Sequence, residues 1–128
     1  MIQTLPIDEL AGMSDLIAIA KLKETKKASA TPEGFQMLEN TIIIEEVLKG
    51  SEKPGYEAVF STIENMEDNP VIRTEGKFII FLTKNASQTW NLTNMVQGYW
   101  PILDEGKFAG MGLRYDMPTL KKAIEGKK

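Results

Sequence analysis

An alternation of apolar and other residues with a period of two is the feature that most constrains the fold. In the segment DLIAIAKLKET, the apolar face is formed by Leu16, Ala18, Ala20 and Leu22. The intervening positions change from isoleucine to lysine, so we predict a strand that is buried on both faces at its start and on one face later. Alanines on the constant face suit the narrow interior of a small barrel.

Further segments with strand character follow along the chain. They are FQMLENTIIIEEVLKG, YEAVFSTIE, KFIIFLTK, TWNLTNMV and GYWPILDEGKFAGMG. The polar segment NMEDNPVIRTEG is predicted to be a loop, NASQ a turn and DEG a hairpin turn. About seven short strands at regular turn spacings predict a closed or nearly closed antiparallel barrel.

One short helix is predicted at each end of the barrel. Thr4 or a neighbour is a candidate cap for the first helix, with Pro6 in its first turn. In DMPTLKKAIEG, Asp116 is the expected N-cap, Pro118 lies in the first turn and Gly126 ends the helix. The pattern therefore predicts a mainly β domain with two flanking helices.

Four phrases occur in a recognisable order: SDLIAIAKLKE, IIIEEVLKG, GKFIIFLTK and VQGYWPILDEGKF. Together they resemble poorly characterised bacterial OB-like domains, which are similar in architecture to netrin-like modules and tissue inhibitors of metalloproteinases. The resemblance implies one OB-like β-barrel domain over residues 1–128. Those inhibitors chelate zinc through an N-terminal cysteine, and this sequence contains no cysteine, so that mechanism does not carry over.

Composition removes most catalytic chemistry, because the 128 residues include no histidine and no cysteine. Ser-His-Asp and Cys-His arrangements and thiolate zinc sites are therefore impossible, and no serine begins an S-x-x-K motif. We predict a protein that is not an enzyme, with no cofactor and no metal ligands. The acidic loop from Glu64 to Asn69 lacks calcium-loop spacing, and we interpret it as solvated, with a calcium site as the alternative.

The charge balance bears on partners and location. The formal net charge is -3, which disfavours nucleic acid as a partner. The local run Lys21, Lys23, Lys26 and Lys27 is interpreted as a solvated strand end. No apolar run is long enough to span a membrane, and the first residues do not form a signal peptide. We expect a secreted or cell-surface protein whose signal peptide has been removed, with a cytoplasmic location as the alternative.

The segment NMVQGYWPILDEG holds two adjacent aromatic residues. On a strand, Tyr99 and Trp100 face opposite sides, one inward and one toward solvent or a covering helix, and Pro101 places them at a sheet edge or bulge. We expect Trp100 to be the inward ring. Tyr99 or Trp100 closes the barrel end against the C-terminal helix face of Leu120 and Ile124, or these rings contribute to a binding surface. The candidate ligand-binding residues are Tyr99, Trp100, Trp90 and Gln97.

These observations favour a non-catalytic module that binds a protein or an extended ligand of unknown identity. The alternative is a nucleic-acid-binding OB domain that stacks bases on Trp90, Tyr99 or Trp100 and contacts phosphates through the lysine run. Partner identity and oligomeric state are not predicted.

Overall fold

The computed structural model of the chain describes residues 3–103 and 106–126. Its regular elements are α1 (Ile7–Met13), β1 (Leu16–Ala30), β2 (Gln36–Lys49), β3 (Glu57–Ile63), β4 (Phe78–Lys84), β5 (Trp90–Leu92), β6 (Tyr99–Pro101) and α2 (Met117–Glu125). The 3-10 helices Met95–Gly98 and Gly110–Gly112 lie on either side of β6 in the sequence. None of the helices in the described ranges is long and apolar enough to cross a membrane.

Five strands close into a barrel. The order is β1-β2-β3-β5-β4, and β4 pairs back onto β1. Neighbouring strands are antiparallel except β3 and β5, which are parallel at Phe60 and Trp90. The mainly β, OB-like barrel is confirmed, but the sheet is mixed rather than purely antiparallel. An odd number of strands explains the difference, because a ring of five cannot alternate in direction all the way round.

The sixth strand, β6, lies outside this ring, and β4 is its only partner strand among the described residues. Pro101 is therefore on an edge strand, as its missing N–H predicts. The predicted strand TWNLTNMV is shortened to β5, because Asn94 and Met95 take left-handed backbone conformations with φ of 53° and 54°. The predicted loop NMEDNPVIRTEG has no helix or strand. The predicted turn DEG includes Asp104 and Glu105, which lie outside the described residues.

Two apolar layers fill the structure. Inside the barrel, Ala18 and Ala20 leave room for the rings of Phe60 and Phe78. On the opposite face of β1 and β4, a second layer packs beneath the helices, with Ile17 among its buried members. The prediction that β1 begins as a strand buried on both faces is therefore confirmed.

The two helices are held differently at their ends. In α2, the Asp116 carboxylate accepts a hydrogen bond of 2.9 Å from the N–H of Thr119. Hydrogen bonding from the Thr119 side chain and, next, from this N–H lowers the carboxyl pKa of Asp116. Gly126 follows the helix as predicted. In α1, Pro6 occupies the N-cap position and no side chain caps the helix, so the capping role proposed for Thr4 is wrong.

The hairpin of β1 and β2 extends beyond the barrel. β4 pairs with β1 only from Leu16 to Ala20, whereas β2 accompanies β1 as far as Ala30. Within residues 3–103 and 106–126, no strand pairs with the other edge of β1 after Ala20. The barrel consequently opens at this end, between β1 and the long loop that precedes β4.

Candidate binding cleft

Tyr99 and Trp100 lie on opposite faces of β6, and both rings are buried. Tyr99 belongs to the barrel interior, where its ring meets that of Phe78 edge-on at 5.0 Å. Trp100 lies beneath the helices and is fully buried. One ring faces inward and the other a covering layer, as predicted, but the assignment is reversed. The helical layer has room for the larger indole.

The Trp100 indole closes the second core. Its ring stacks on Tyr115 at 5.4 Å and lies 4.7 Å from Phe81, measured between ring centroids. Its N–H donates to the backbone carbonyl of Gln97 at 2.7 Å. Both the faces and the polar atom of the ring are therefore engaged inside the protein.

Trp90 and Gln97 are also committed to internal contacts. The Trp90 N–H donates to the Tyr56 hydroxyl at 2.8 Å, and the Lys84 ammonium lies 4.9 Å from the indole centroid. The Gln97 amide donates to the carbonyl of Leu5 and accepts from its N–H, at 2.8 and 3.0 Å. Gln97 thus ties the segment before α1 to the 3-10 helix.

The four predicted ligand-binding residues do not form one exposed face. Tyr99, Trp90 and Trp100 are at most 7% exposed, and Gln97 is 2% exposed. A ligand role for them remains a prediction that no observation tests, and their positions favour core closure. Binding must be sought at a surface with open volume and accessible groups.

Such a surface is the cleft at the open end of the barrel, with a volume of about 370 Å³. One wall is the edge of β1 from Leu22 to Thr25, and the other is the loop segment 70–74. Leu38 contributes an apolar side chain between the walls, and Val71 at the rim is 88% exposed.

A hydrogen-bonded set of polar side chains forms the floor of the cleft. The Asn40 amide oxygen accepts from the Thr25 hydroxyl at 2.9 Å, and its nitrogen donates to the Thr62 hydroxyl at 3.0 Å. The same nitrogen donates to the Phe60 carbonyl at 3.3 Å. Because Asn40 is 2% exposed and its amide is bonded within the protein, this floor is preorganised before a ligand arrives.

The loop wall is fixed at two points. Ile72 is buried in the barrel core, and the next residue, Arg73, donates its backbone N–H to the Tyr99 hydroxyl at 2.9 Å. Burial raises the pKa of the Tyr99 phenol, and the Arg73 N–H and charge oppose the rise. Tyr99 therefore supports the cleft from inside the barrel without lining it.

Charges surround the cleft unevenly. Lys23 is paired with Glu57 at 2.9 Å, and Lys21 with Glu45 at 3.3 Å. In the part of the chain that the structure describes, neither Lys27 nor Arg73 has a carboxylate within 4.0 Å. Lys26 lies 3.7 Å from Glu24, so three of the four lysines in the run have a carboxylate partner. The two cations beside the walls of the cleft stay without one among the described residues.

The acidic loop was weighed as a calcium site in the sequence. No group of three or more acidic side chains is arranged to hold a metal ion among residues 3–103 and 106–126. Asn69 instead accepts the N–H of Ile63 through its side-chain oxygen at 2.9 Å, which closes the loop onto β3. Its calcium-binding alternative stays an untested prediction.

Comparison with known proteins adds no assignment: no protein-family model matches the chain, and no curated protein sequence is significantly similar to it. The geometry of the cleft therefore carries the functional argument. Apart from Leu22 in the strand pattern and Lys23 in the lysine run, the residues that line the cleft were not singled out in the sequence, although one signal was present. Asn40 interrupts the apolar series Leu38, Ile42 and Ile44 on the face of β2 that points into the barrel.

Proposed function

We propose that this protein is a non-catalytic module that binds a protein segment or another extended ligand in the cleft. The main support is that Val71 at the rim is 88% exposed and lines the same cleft as the half-buried apolar side chains of Leu22 and Leu38. An accessible apolar strip over a preformed polar floor is typical of a binding site. The lack of histidine and cysteine in the sequence supports a non-catalytic role.

The nucleic-acid alternative has less support. Base stacking requires accessible rings, and Trp90, Tyr99 and Trp100 are buried. Lys21 and Lys23 are paired with carboxylates, which reduces the positive field available to phosphates. Titration of labelled single-stranded DNA or RNA at about 0.15 M salt should show nothing tighter than about 10⁻⁴ to 10⁻⁶ M. A submicromolar, steeply salt-dependent affinity would favour the alternative.

The proposed site is tested by selecting binders from a displayed library of random decapeptides. Recovered peptides should lose binding to the variant Val71→Asp and keep binding to Leu113→Asp. Leu113 is a matched control because it is an apolar residue that is 72% exposed and does not line the cleft. Equal binding to both variants, or no enrichment at all, would refute the cleft as the functional site.

The sequence resemblance supports two finer proposals. One is that the barrel belongs to the bacterial OB-like domains with netrin-like architecture. The other is that the protein acts at the cell surface or after secretion. N-terminal sequencing of the protein purified from its native source tests the second proposal, because a processed leader is expected and an unprocessed cytoplasmic protein would contradict it.

A further inference from the structure

The edge of β1 that borders the cleft has backbone groups directed away from β2. The N–H of Ile44 donates to the carbonyl of Tyr56, and the N–H of Glu64 donates to that of Gln36, so the even-numbered residues of β2 from Gln36 to Ile44 bond toward β3. The odd-numbered residues between them therefore bond toward β1. The turn bond from Thr31 N–H to the Phe35 carbonyl follows the same parity.

This parity determines which residues of β1 face the open side. Glu24 is opposite Thr41 and Lys26 is opposite Glu39, so these two residues bond to β2. The intervening Thr25, which lines the cleft, and the following Lys27 direct their N–H and C=O groups toward the open edge of β1. No strand in the described ranges pairs with them there.

The open edge of β1 after Ala20 is the continuation of the same edge that pairs with β4 from Leu16 to Ala20. β4 begins at Phe78, opposite Ala20, and the chain before it turns away to form the far wall of the cleft. An extended segment placed in the cleft would lie where an earlier start of β4 would have paired. Side chains on one face of that segment would meet Leu22, Leu38 and Ile72.

We propose that the occupant of the cleft is an extended acidic peptide that adds a strand to the β1 edge and hydrogen-bonds to Thr25 and Lys27. This inference rests on the proposed function and names its ligand class. Main-chain bonds would provide affinity, and the apolar strip would select alternate apolar side chains. Acidic side chains are favoured because Lys27 and Arg73 are cations without a carboxylate partner in the described residues.

The probe is a blocked nonapeptide with valine at every even position and threonine or glutamate between. Anisotropy titration should show saturable binding that weakens as salt is raised and is lost when lysine replaces each glutamate. N-methylation of one peptide amide that faces β1 should weaken binding about three- to tenfold, whereas methylation of the adjacent amide should change it little.

Hydrogen exchange of the unmodified protein tests the pairing directly. Without peptide, the amides of Thr25 and Lys27 should exchange faster than those of Glu24 and Lys26, which bond to β2. Saturating nonapeptide should slow exchange at Thr25 and Lys27. Strand addition is refuted if the peptide binds but the amides of Thr25 and Lys27 keep the exchange rates of the free protein, and if N-methylation weakens binding equally at both peptide positions.

Two substitutions at Lys27 distinguish the contribution of its backbone N–H to peptide binding from that of its side-chain charge. Lys27→Ala removes the cation but keeps the N–H, so it should weaken binding modestly. Lys27→Pro removes both and should weaken binding further, with thermal unfolding of each variant measured for comparison. If the nonapeptide does not bind wild type while library peptides still require Val71, strand addition fails and the proposed function stands. If the library selection also recovers no peptide that requires Val71, both strand addition and the proposed binding function are refuted.

Discussion

The Tyr99 hydroxyl accepts a hydrogen bond of 2.9 Å from the backbone N–H of Arg73 and so joins the barrel interior to the wall of the cleft. The ring of Tyr99 packs in the core, and Arg73 lies in the long loop between β3 and β4. Loops of this length without regular structure are commonly functional, and this one is held in place from within.

Replacing Tyr99 with phenylalanine keeps the ring and removes this bond. We expect Tyr99→Phe to destabilise the protein by about 0.5–1.5 kcal/mol and to speed hydrogen exchange at the Arg73 amide. Urea unfolding measures the first effect and amide-resolved exchange the second. The matched control is Tyr115→Phe, whose hydroxyl has no hydrogen bond with the described residues. Unchanged exchange at Arg73 would show that the loop is held by other contacts.

Alanine substitutions test whether both adjacent rings are structural. Trp100→Ala removes a fully buried indole and should lower the free energy of unfolding by about 3–5 kcal/mol. Tyr99→Ala should also be strongly destabilising, because it removes a buried ring from the other face of β6. Both costs are measured by urea or thermal unfolding. A result near wild type for either variant would contradict burial of that ring and revive its proposed role in binding.

Gly112 is constrained by the Trp100 ring. A Cβ added at Gly112 would lie 2.6 Å from Trp100 Cγ and 2.7 Å from its Cε3, far closer than van der Waals contact. Gly112→Ala should therefore destabilise the fold by about 1–3 kcal/mol or more. Gly126→Ala is the control, because its nearest neighbour is 3.3 Å away at an exposed helix end, and we expect a change within about 0.5 kcal/mol. Equal stability of the two variants in thermal melts would contradict this packing.

Glu45 provides a pH-dependent contribution to stability. Its hydrogen bond with Lys77 is the main cause that lowers its pKa from 4.5; partial desolvation opposes it, and Lys21 adds to the lowering. A lowered folded-state pKa means that the contribution is present above the unfolded value and is lost as pH falls through the folded one. Glu45→Gln should cost less than about 1 kcal/mol at pH 7.

The stabilities of wild type and Glu45→Gln should converge as the pH falls through the lowered pKa of Glu45 in the folded protein, since the wild-type carboxylate is then protonated. Urea unfolding at several pH values measures this. Glu46→Gln is the control, because Glu46 is the exposed neighbour without an ion pair in the described residues. A difference that persists unchanged at pH 3 would show that the effect of Glu45→Gln is not electrostatic.

Much of the fold could be predicted from local patterns. The alternation at Leu16, Ala18 and Ala20 identified a strand of a narrow barrel, and the capping residue Asp116 identified the start of α2. Both follow from interactions between residues that are close in sequence. The placement of Tyr99 and Trp100 on opposite faces also followed from the period of a strand.

The identity of the binding surface could not be predicted in the same way. Trp90, Tyr99 and Trp100 are chemically suited to stacking, and only their tertiary contacts reveal that their faces and polar atoms are engaged. Conversely, Val71 and Thr25 carry no sequence signal of binding. They become neighbours of a cleft because β4 begins too late to cover the edge of β1.

By itself, the sequence determined the chemistry that is absent and the local geometry that is present: no imidazole or thiol, strands of period two, and a capped final helix. The tertiary structure decided which of two buried rings lies inside the barrel, which strand pair is parallel, and where an edge stays open. The physical reason is that side-chain alternation is set within a strand, whereas closure and edge exposure depend on pairing between residues that are distant in sequence.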